Sequence, residues 1–510
     1  MELLHSSQIK WKGKQVANFF DPSSLLKYGN YIDGEWSQPG EKELIDIFNP
    51  TSEKLIAQVP EATIDDVNRA VYAAKRSYEC GEWSMITPKE RQAALMRMAE
   101  IMEQRKSELV EINIAECASP RWFAEQGQVN GAIAHLKSTI EAMDRFEWEK
   151  PSPIHFGNGI GQGQVVRESY GVAALISAYN FPLWLNITKL APALAAGCSV
   201  VLKPASTTPL EGLILAEISE QAGIPQGVLN VITGGRTPTK ALTTHPDVDI
   251  VSFTGSDTVG ADIYQQAAAS IKKVVLELGG KSPNIVLEDA EIDAVAEQVV
   301  THTTIHAGQG CSLLTRTLVH RSRYDELVTK VAAGLEKIKI GDPSDPETQM
   351  GPLISREQLA KVEALIQVGL NEGAKLITGG KRPQGLNKGH FIEPTLFTTS
   401  DNRSRICQEE FFGPVNVIIP FDTEEEAIEM ANDSIYGLSA AVNSADPIRA
   451  YNVARQLRTG AVVINGGGGH FPDISMPFGG YKASGIGREY GAAGIEEYLQ
   501  TKSIGWAVGR

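Results

Sequence analysis

From Val172 to Leu278 the chain switches repeatedly between short aliphatic runs and longer stretches of helical character, with turn residues at each switch. Apolar runs without polar alternation mark strands covered on both faces, and such strands joined through helices make a parallel sheet. VAALISAY (Val172 to Tyr179) reads as a buried strand. The turn Asn180-Phe181-Pro182 follows, then a helix near Asn186 to Ala196, and SVVLK ends the next strand at Lys203. The alternation continues with a helix from about Pro209 to Ala222, the strand Val228 to Thr233, a helix near Pro238, the strand Asp249 to Thr254, a helix from about Gly260 and the strand Lys273 to Leu278. Five strands in one βα series predict an α/β fold built on a parallel sheet.

After Gly279-Gly280 the pattern restarts with the strand NIVLED, a helix through Ile292 to His306, a loop carrying Cys311, the strand TRTLVH and a helix from Tyr324. A boundary near Gly280 suits a chain of 510 residues, since single cores stop growing at about 250 to 300 residues. Residues 155–170 are glycine-rich and then alternate, which reads as an irregular hairpin interrupting the first domain.

The net charge of -15 gives no general attraction to phosphate backbones or anionic lipids, so no nucleic-acid and no membrane partner is expected. The five cysteines are widely spaced and form no CxxC pair, as expected of reduced thiols in the cytoplasm. No signal peptide or membrane span is read in the sequence.

Several positions suggest chemistry. Cys311 follows glycines 308 and 310, which let backbone approach a ligand. Glu277 ends an apolar strand, where parallel sheets form ligand crevices, and an apolar setting there would raise its pKa toward that of a general base. FTGSDTVG closes a strand and opens a helix whose N–H groups can hold a pyrophosphate, although it is not GxGxxG. LGGKSP imitates a P-loop, but Val275 stands where Walker A needs its first glycine, so ATP binding is rejected. His302 and His306 share a helix face at i, i+4 without a third ligand, so no metal site is expected.

In order, the chain carries AYNFP, KPAS, FTGSDTVG, LELGGKSP, GQGC, EEFFGPV and FGGYKASGIGRE. Together these resemble the aldehyde dehydrogenase superfamily, over nearly the whole chain from Gly29 to Trp506. The resemblance implies a Rossmann-like cofactor domain (residues 1–150 and 170–279), a second α/β catalytic domain (280–481) and a small β oligomerisation element (151–169 and 482–510), assembled as a homodimer or homotetramer.

It also implies roles. Cys311 would attack the aldehyde, Asn180 and the Cys311 N–H would hold the oxyanion, and Glu277 would activate the water that hydrolyses the thioester. NAD would be held by Lys203 and Ser206 at the adenosine ribose, by Gly255, Ser256 and Gly260 at the pyrophosphate turn, by Leu278, and by Glu410 and Phe412 near the nicotinamide end. The substrate tunnel would be lined by Phe181, Leu185, Thr188, Gly310, Ser312, Phe471 and Phe478, with Gly466 to Gly469 leaving space. No Lys or Arg falls among these positions, which favours a hydrophobic aldehyde (aromatic, terpenoid or medium-chain) over succinic semialdehyde.

Three departures stand out. Ala178-Tyr179 replaces the usual Pro-Trp before the asparagine. Ser206 replaces a glutamate common in NAD-preferring members and would not repel a 2′-phosphate, which leaves NADP open. The first 28 residues extend beyond the usual start. Two rivals are a CoA-acylating relative, disfavoured because such relatives commonly lack a residue like Glu277, and an inert binding protein, disfavoured because Cys311, Glu277 and Asn180 are all present.

Overall fold

The computed structural model describes residues 9–11, 14–16, 26–27, 29–37, 43–157, 159–466 and 473–509. The first alternating region forms β1 (Val172–Ile176), β2 (Ser199–Lys203), β3 (Leu229–Val231), β4 (Ile250–Thr254) and β5 (Lys273–Glu277). They lie in the order β5-β4-β1-β2-β3 with every pair parallel. Antiparallel strands close both edges, Tyr31–Ile32 beside β3 and Gly485–Ile486 beside β5. The order reverses at β1, so a crevice opens at the carboxyl ends of β1, β2 and β4, where parallel sheets bind ligands.

The second region forms β6 (Pro283–Val286), β7 (Arg316–His320), β8 (Lys375–Thr378), β9 (Thr395–Thr398), β10 (Val415–Phe421), β11 (Ser439–Asn443) and β12 (Ala461–Ile464). Their order is β8-β9-β10-β7-β6-β11-β12, parallel except at β8. Helices bury both faces of each sheet, which accounts for the unbroken apolar runs. A third, antiparallel sheet pairs Ile160–Ser169 with Leu499–Gly509 over ten residue pairs and with Glu149–Pro151 on the other side, while His155–Phe156 folds back on Ile160–Gly161 as a short hairpin. Among the described residues, no helix is long and apolar enough to cross a membrane.

Three boundaries differ from expectation. The helix expected near Asn186 runs Pro182–Ala196, because Pro182 takes the first-turn position, where its fixed φ suits and its missing N–H costs nothing. The helix expected from Gly260 starts at Asp257, capped by Ser256. The helix expected to reach His306 stops at Thr304, and His306 and Ala307 turn left-handed (φ 49° and 51°). The two histidines therefore share no helix face: His302 Nδ1 accepts from Leu314 N at 3.3 Å, while the His306 ring packs between Phe123 and Phe181.

Candidate active site

The crevice collects its side chains from strand ends. At the end of β2, Lys203 is buried and its ammonium donates to the carbonyls of Pro204 (3.0 Å) and Gly234 (2.9 Å). Burial pulls its pKa down to about 8. Ser206 lies partly exposed in the turn that follows. At the end of β4, Gly255 leads into Ser256, whose hydroxyl accepts from Val259 N at 3.4 Å and caps the helix Asp257–Ala268. A Cβ on Gly260 would stand 2.5 Å from a Leu278 methyl, so the helix packs closely on that side chain. The Thr254 hydroxyl has no hydrogen-bond partner among the described residues, which leaves polar capacity beside that turn.

Gly279 and Gly280 bring the two halves together. The Glu410 carboxylate accepts from Gly280 N at 3.0 Å, and a Cβ on Gly280 would stand 2.5 Å from the Cys311 carbonyl oxygen. Burial pushes the Glu410 carboxyl up to about 7. Phe412 is left-handed (φ 52°) and meets Tyr179 edge-on at 5.8 Å, so the tyrosine that replaces tryptophan touches the residue assigned to the nicotinamide end.

Cys311 sits beyond three successive left-handed residues, His306, Ala307 and Gly308. A Cβ on Gly308 would lie 2.2 Å from the Gly413 carbonyl, so the cysteine loop packs tightly on the Glu410–Pro414 turn. Asn180 Nδ2 donates to Gln309 O at 2.9 Å, and Gln128 Nε2 holds the Asn180 carbonyl at 2.9 Å. An amide nitrogen carries two hydrogens, and the Gln309 bond uses one, leaving a second donor. The thiol of Cys311 is pushed up to about 12 by burial and by the carboxylates of Glu410, Glu277 and Glu489.

Glu277 ends β5, is 3% exposed, and has no hydrogen-bond partner on either carboxylate oxygen among the described residues. A Cβ on Gly479 would approach Oε1 to 2.8 Å. Burial raises the carboxyl well above its usual range; Glu489 adds to this, while Lys189 and Arg488 oppose it. Those neighbours were not foreseen. Lys189 and Glu489 form a buried ion pair at 2.8 Å, and Lys189 also donates to Ser252 Oγ at 3.1 Å. A lone lysine in the apolar helix LNITKLAPALAA and the acid of the GRE string were the available signals.

Of the residues expected around the substrate, Phe478 stacks on Tyr490 at 5.1 Å, and the two form with Leu438 a buried cluster against which Cys311 packs. Phe181 meets Phe123 at 5.9 Å and Trp184 at 6.3 Å, both edge-on. Leu185 is partly exposed. Thr188 is buried, with its hydroxyl lacking a partner among the described residues. Gly310 and Ser312, both partly exposed, flank the cysteine. Phe471 and Gly467 to Gly469 lie outside the described residues. Trp184, next to Leu185 on the same helix, is a further aromatic residue here that the sequence reading did not name.

Comparison with known proteins identifies the family and the fold. Residues 36–504 match the model of the aldehyde dehydrogenase family. An aldehyde dehydrogenase of Mycobacterium tuberculosis solved with NAD+ is 42% identical, with a TM-score of 0.91 over 94% of this chain and 98% of that one. A betaine aldehyde dehydrogenase of Staphylococcus aureus in complex with NAD+ is 38% identical (TM-score 0.91, 94% and 95% covered). A cysteine-to-alanine variant of aldehyde dehydrogenase C from Pseudomonas syringae, solved with NAD+ and octanal, is 39% identical (TM-score 0.89, 94% and 96% covered). With two parallel sheets meeting at Gly279-Gly280, a cysteine loop held between them, and likeness of this extent along nearly the whole chain, the protein belongs to the aldehyde dehydrogenase family.

Proposed function

We propose that the protein oxidises a hydrophobic aldehyde to its carboxylic acid with NAD+, through a thioester on Cys311 that water hydrolyses. The observation that carries this reading is Glu277: a buried carboxylate with no hydrogen-bond partner among the described residues, at the end of the strand that leads through Gly279-Gly280 onto the Cys311 backbone. A group in that state can take a proton from the thiol or from water, as a general base must. The thiolate adds to the carbonyl, and the second N–H of Asn180 with the Cys311 N–H receives the oxyanion. NAD+, when bound, accepts the hydride, and water then releases the acid and the thiol.

Lys203, the capped turn at Ser256 and Glu410 suit a dinucleotide, and the three relatives described above were solved with NAD+. Ser206 carries no charge against a 2′-phosphate, so NADP is a second acceptor in this reading. Five free thiols suit a reducing, cytoplasmic setting. The strand Leu499–Gly509 lies at a sheet edge and exposes Ile504, Trp506 and Val508, as suits an assembly face of a homodimer or homotetramer. Octanal and betaine aldehyde, named for two relatives, mark the apolar and cationic extremes. The described tunnel residues hold no Lys or Arg and several aromatic rings, which supports the apolar one.

The test is turnover of benzaldehyde, octanal and citral without CoA, with free acid measured. Release of acid is expected, and Glu277→Gln should accumulate an acyl adduct visible by intact mass. A strict CoA requirement, or full turnover by Glu277→Gln with no adduct, would overturn the mechanism. A higher kcat/KM for betaine aldehyde or succinic semialdehyde would overturn the substrate reading.

A further inference from the structure

We propose that Tyr490 determines specificity and that the preferred substrate is a planar aryl aldehyde. This rests on the reading of Cys311 as the nucleophile of an aldehyde oxidation and narrows its substrate class.

The case starts from the backbone. Tyr490 sits at φ 69°, ψ 151°, a conformation unfavourable for any residue with a Cβ and one that persists only where surrounding structure enforces it. Enforcement comes from its predecessor. Glu489 and Phe478 exchange both backbone hydrogen bonds (2.7 and 2.8 Å) in an isolated antiparallel bridge, and the Glu489 carboxylate is fixed on Lys189 at 2.8 Å. With Glu489 held at both ends, the strained turn brings the next ring onto Phe478, 5.1 Å away and within 20° of parallel, and Cys311 packs against the cluster that these two rings form with Leu438. The two rings and Leu438 form a small buried cluster separate from the large cores of both sheets.

The other side of Tyr490 continues the wall. The His135 ring meets it edge-on at 4.7 Å, and Trp184 lies 6.4 Å from His135 and 6.3 Å from Phe181. Room for the indole comes from Gly131, one helical turn before His135, where a Cβ would fall 2.1 Å from the Trp184 ring. Phe181, Trp184, His135, Tyr490 and Phe478 thus form a chain of rings whose end, with Leu438, makes the cluster on which Cys311 packs. Burial leaves His135 neutral, its pKa drawn down to about 3, so the wall gains no positive charge there. A ring system of this kind offers edges and faces to another flat ring, whereas a saturated ring or chain gains only buried area. A quaternary ammonium is the other ligand that such a wall can hold, through cation–π attraction.

The experiment compares benzaldehyde with cyclohexanecarbaldehyde, which has the same carbon skeleton but no aromatic ring, alongside octanal and betaine aldehyde. In the wild type, kcat/KM for benzaldehyde should exceed that for cyclohexanecarbaldehyde by about tenfold, the scale of one or two aromatic contacts. Tyr490→Leu should bring the ratio toward one, and Tyr490→Phe, which keeps the ring, should hold it within about threefold of wild type. A ratio unchanged in Tyr490→Leu, a collapsed ratio in Tyr490→Phe, or a wild type that favours cyclohexanecarbaldehyde, octanal or betaine aldehyde would overturn the proposal. The wild-type comparison and Tyr490→Phe decide it even if Tyr490→Leu fails to fold. Preference for octanal would end this inference and leave the proposed function standing; no oxidation of any of these aldehydes would end both.

Discussion

Glu489→Gln and Lys189→Met should move the titration of Glu277 in opposite directions. In the folded protein Lys189 and Glu489 face each other at 2.8 Å, so at Glu277 their fields largely cancel. Removing either one leaves a bare unit charge. For an assumed separation of roughly 6 Å and an effective dielectric of about 20, such a charge contributes about 3 kcal/mol, or about two pH units. The sign follows from the charge left behind. In Glu489→Gln the remaining ammonium favours the Glu277 carboxylate, its pKa falls, and the acidic limb of the kcat profile moves to lower pH. In Lys189→Met the remaining carboxylate disfavours it, the pKa rises, and the limb moves to higher pH. Both variants should also lose about 3 to 5 kcal/mol of stability, because an unpaired charge stays buried. The double variant should recover part of that loss. The assays are kcat against pH with a saturating aldehyde, and urea unfolding. Shifts of the same sign, or neither larger than about half a unit, would refute the view that this pair tunes the base.

Three further outcomes are expected. Cys311→Ala should abolish oxidation while NAD+ binding, followed by calorimetry, stays within about threefold of wild type, since the nucleotide contacts lie elsewhere. Gly280→Ala should lower kcat by about tenfold or more, because its Cβ would stand 2.5 Å from the Cys311 carbonyl and the loop must shift; a normal kcat with a cooperative unfolding transition would count against the tight approach. Ser206→Glu should raise the NAD-to-NADP ratio of kcat/KM by placing a carboxylate against a 2′-phosphate, and an unchanged ratio would show that Ser206 does not face that ribose.

The sheets were legible because their strands are apolar on both faces and end at turn residues. Thus β1 to β5 lie where the aliphatic runs lie, shortened by up to three residues where Ser177 and Tyr179 leave the ladder. Helix ends were read less well, for two separate reasons. Pro182 suits both a turn after Asn180 and the first turn of a helix, so the sequence alone does not separate the two. The stop at Thr304 has no sequence sign at all: His306 and Ala307 adopt positive φ without being glycine, held there by the contacts of the cysteine loop.

The candidate site divides along the same line. Asn180, Glu277 and Cys311 could be singled out because each belongs to a short string whose local structure is nearly self-contained: a strand end, a turn, a glycine-bracketed loop. The structure brings them together through Gln309 and Gly279-Gly280, contacts that these strings also contain. Lys189 and Glu489 are different in kind. They are 300 residues apart, and nothing local to either predicts the other. Only the bridge between Phe478 and Glu489 reveals why the acid, the strained tyrosine and the phenylalanine occur so close in sequence. One pair of backbone hydrogen bonds sets a carboxylate beside the lysine on one side and a ring beside the thiol on the other. The charge around Glu277 and the ring packing beside Cys311 therefore share a single support, and, if the proposed roles hold, a substitution that loosens it should disturb the pH profile and substrate preference together.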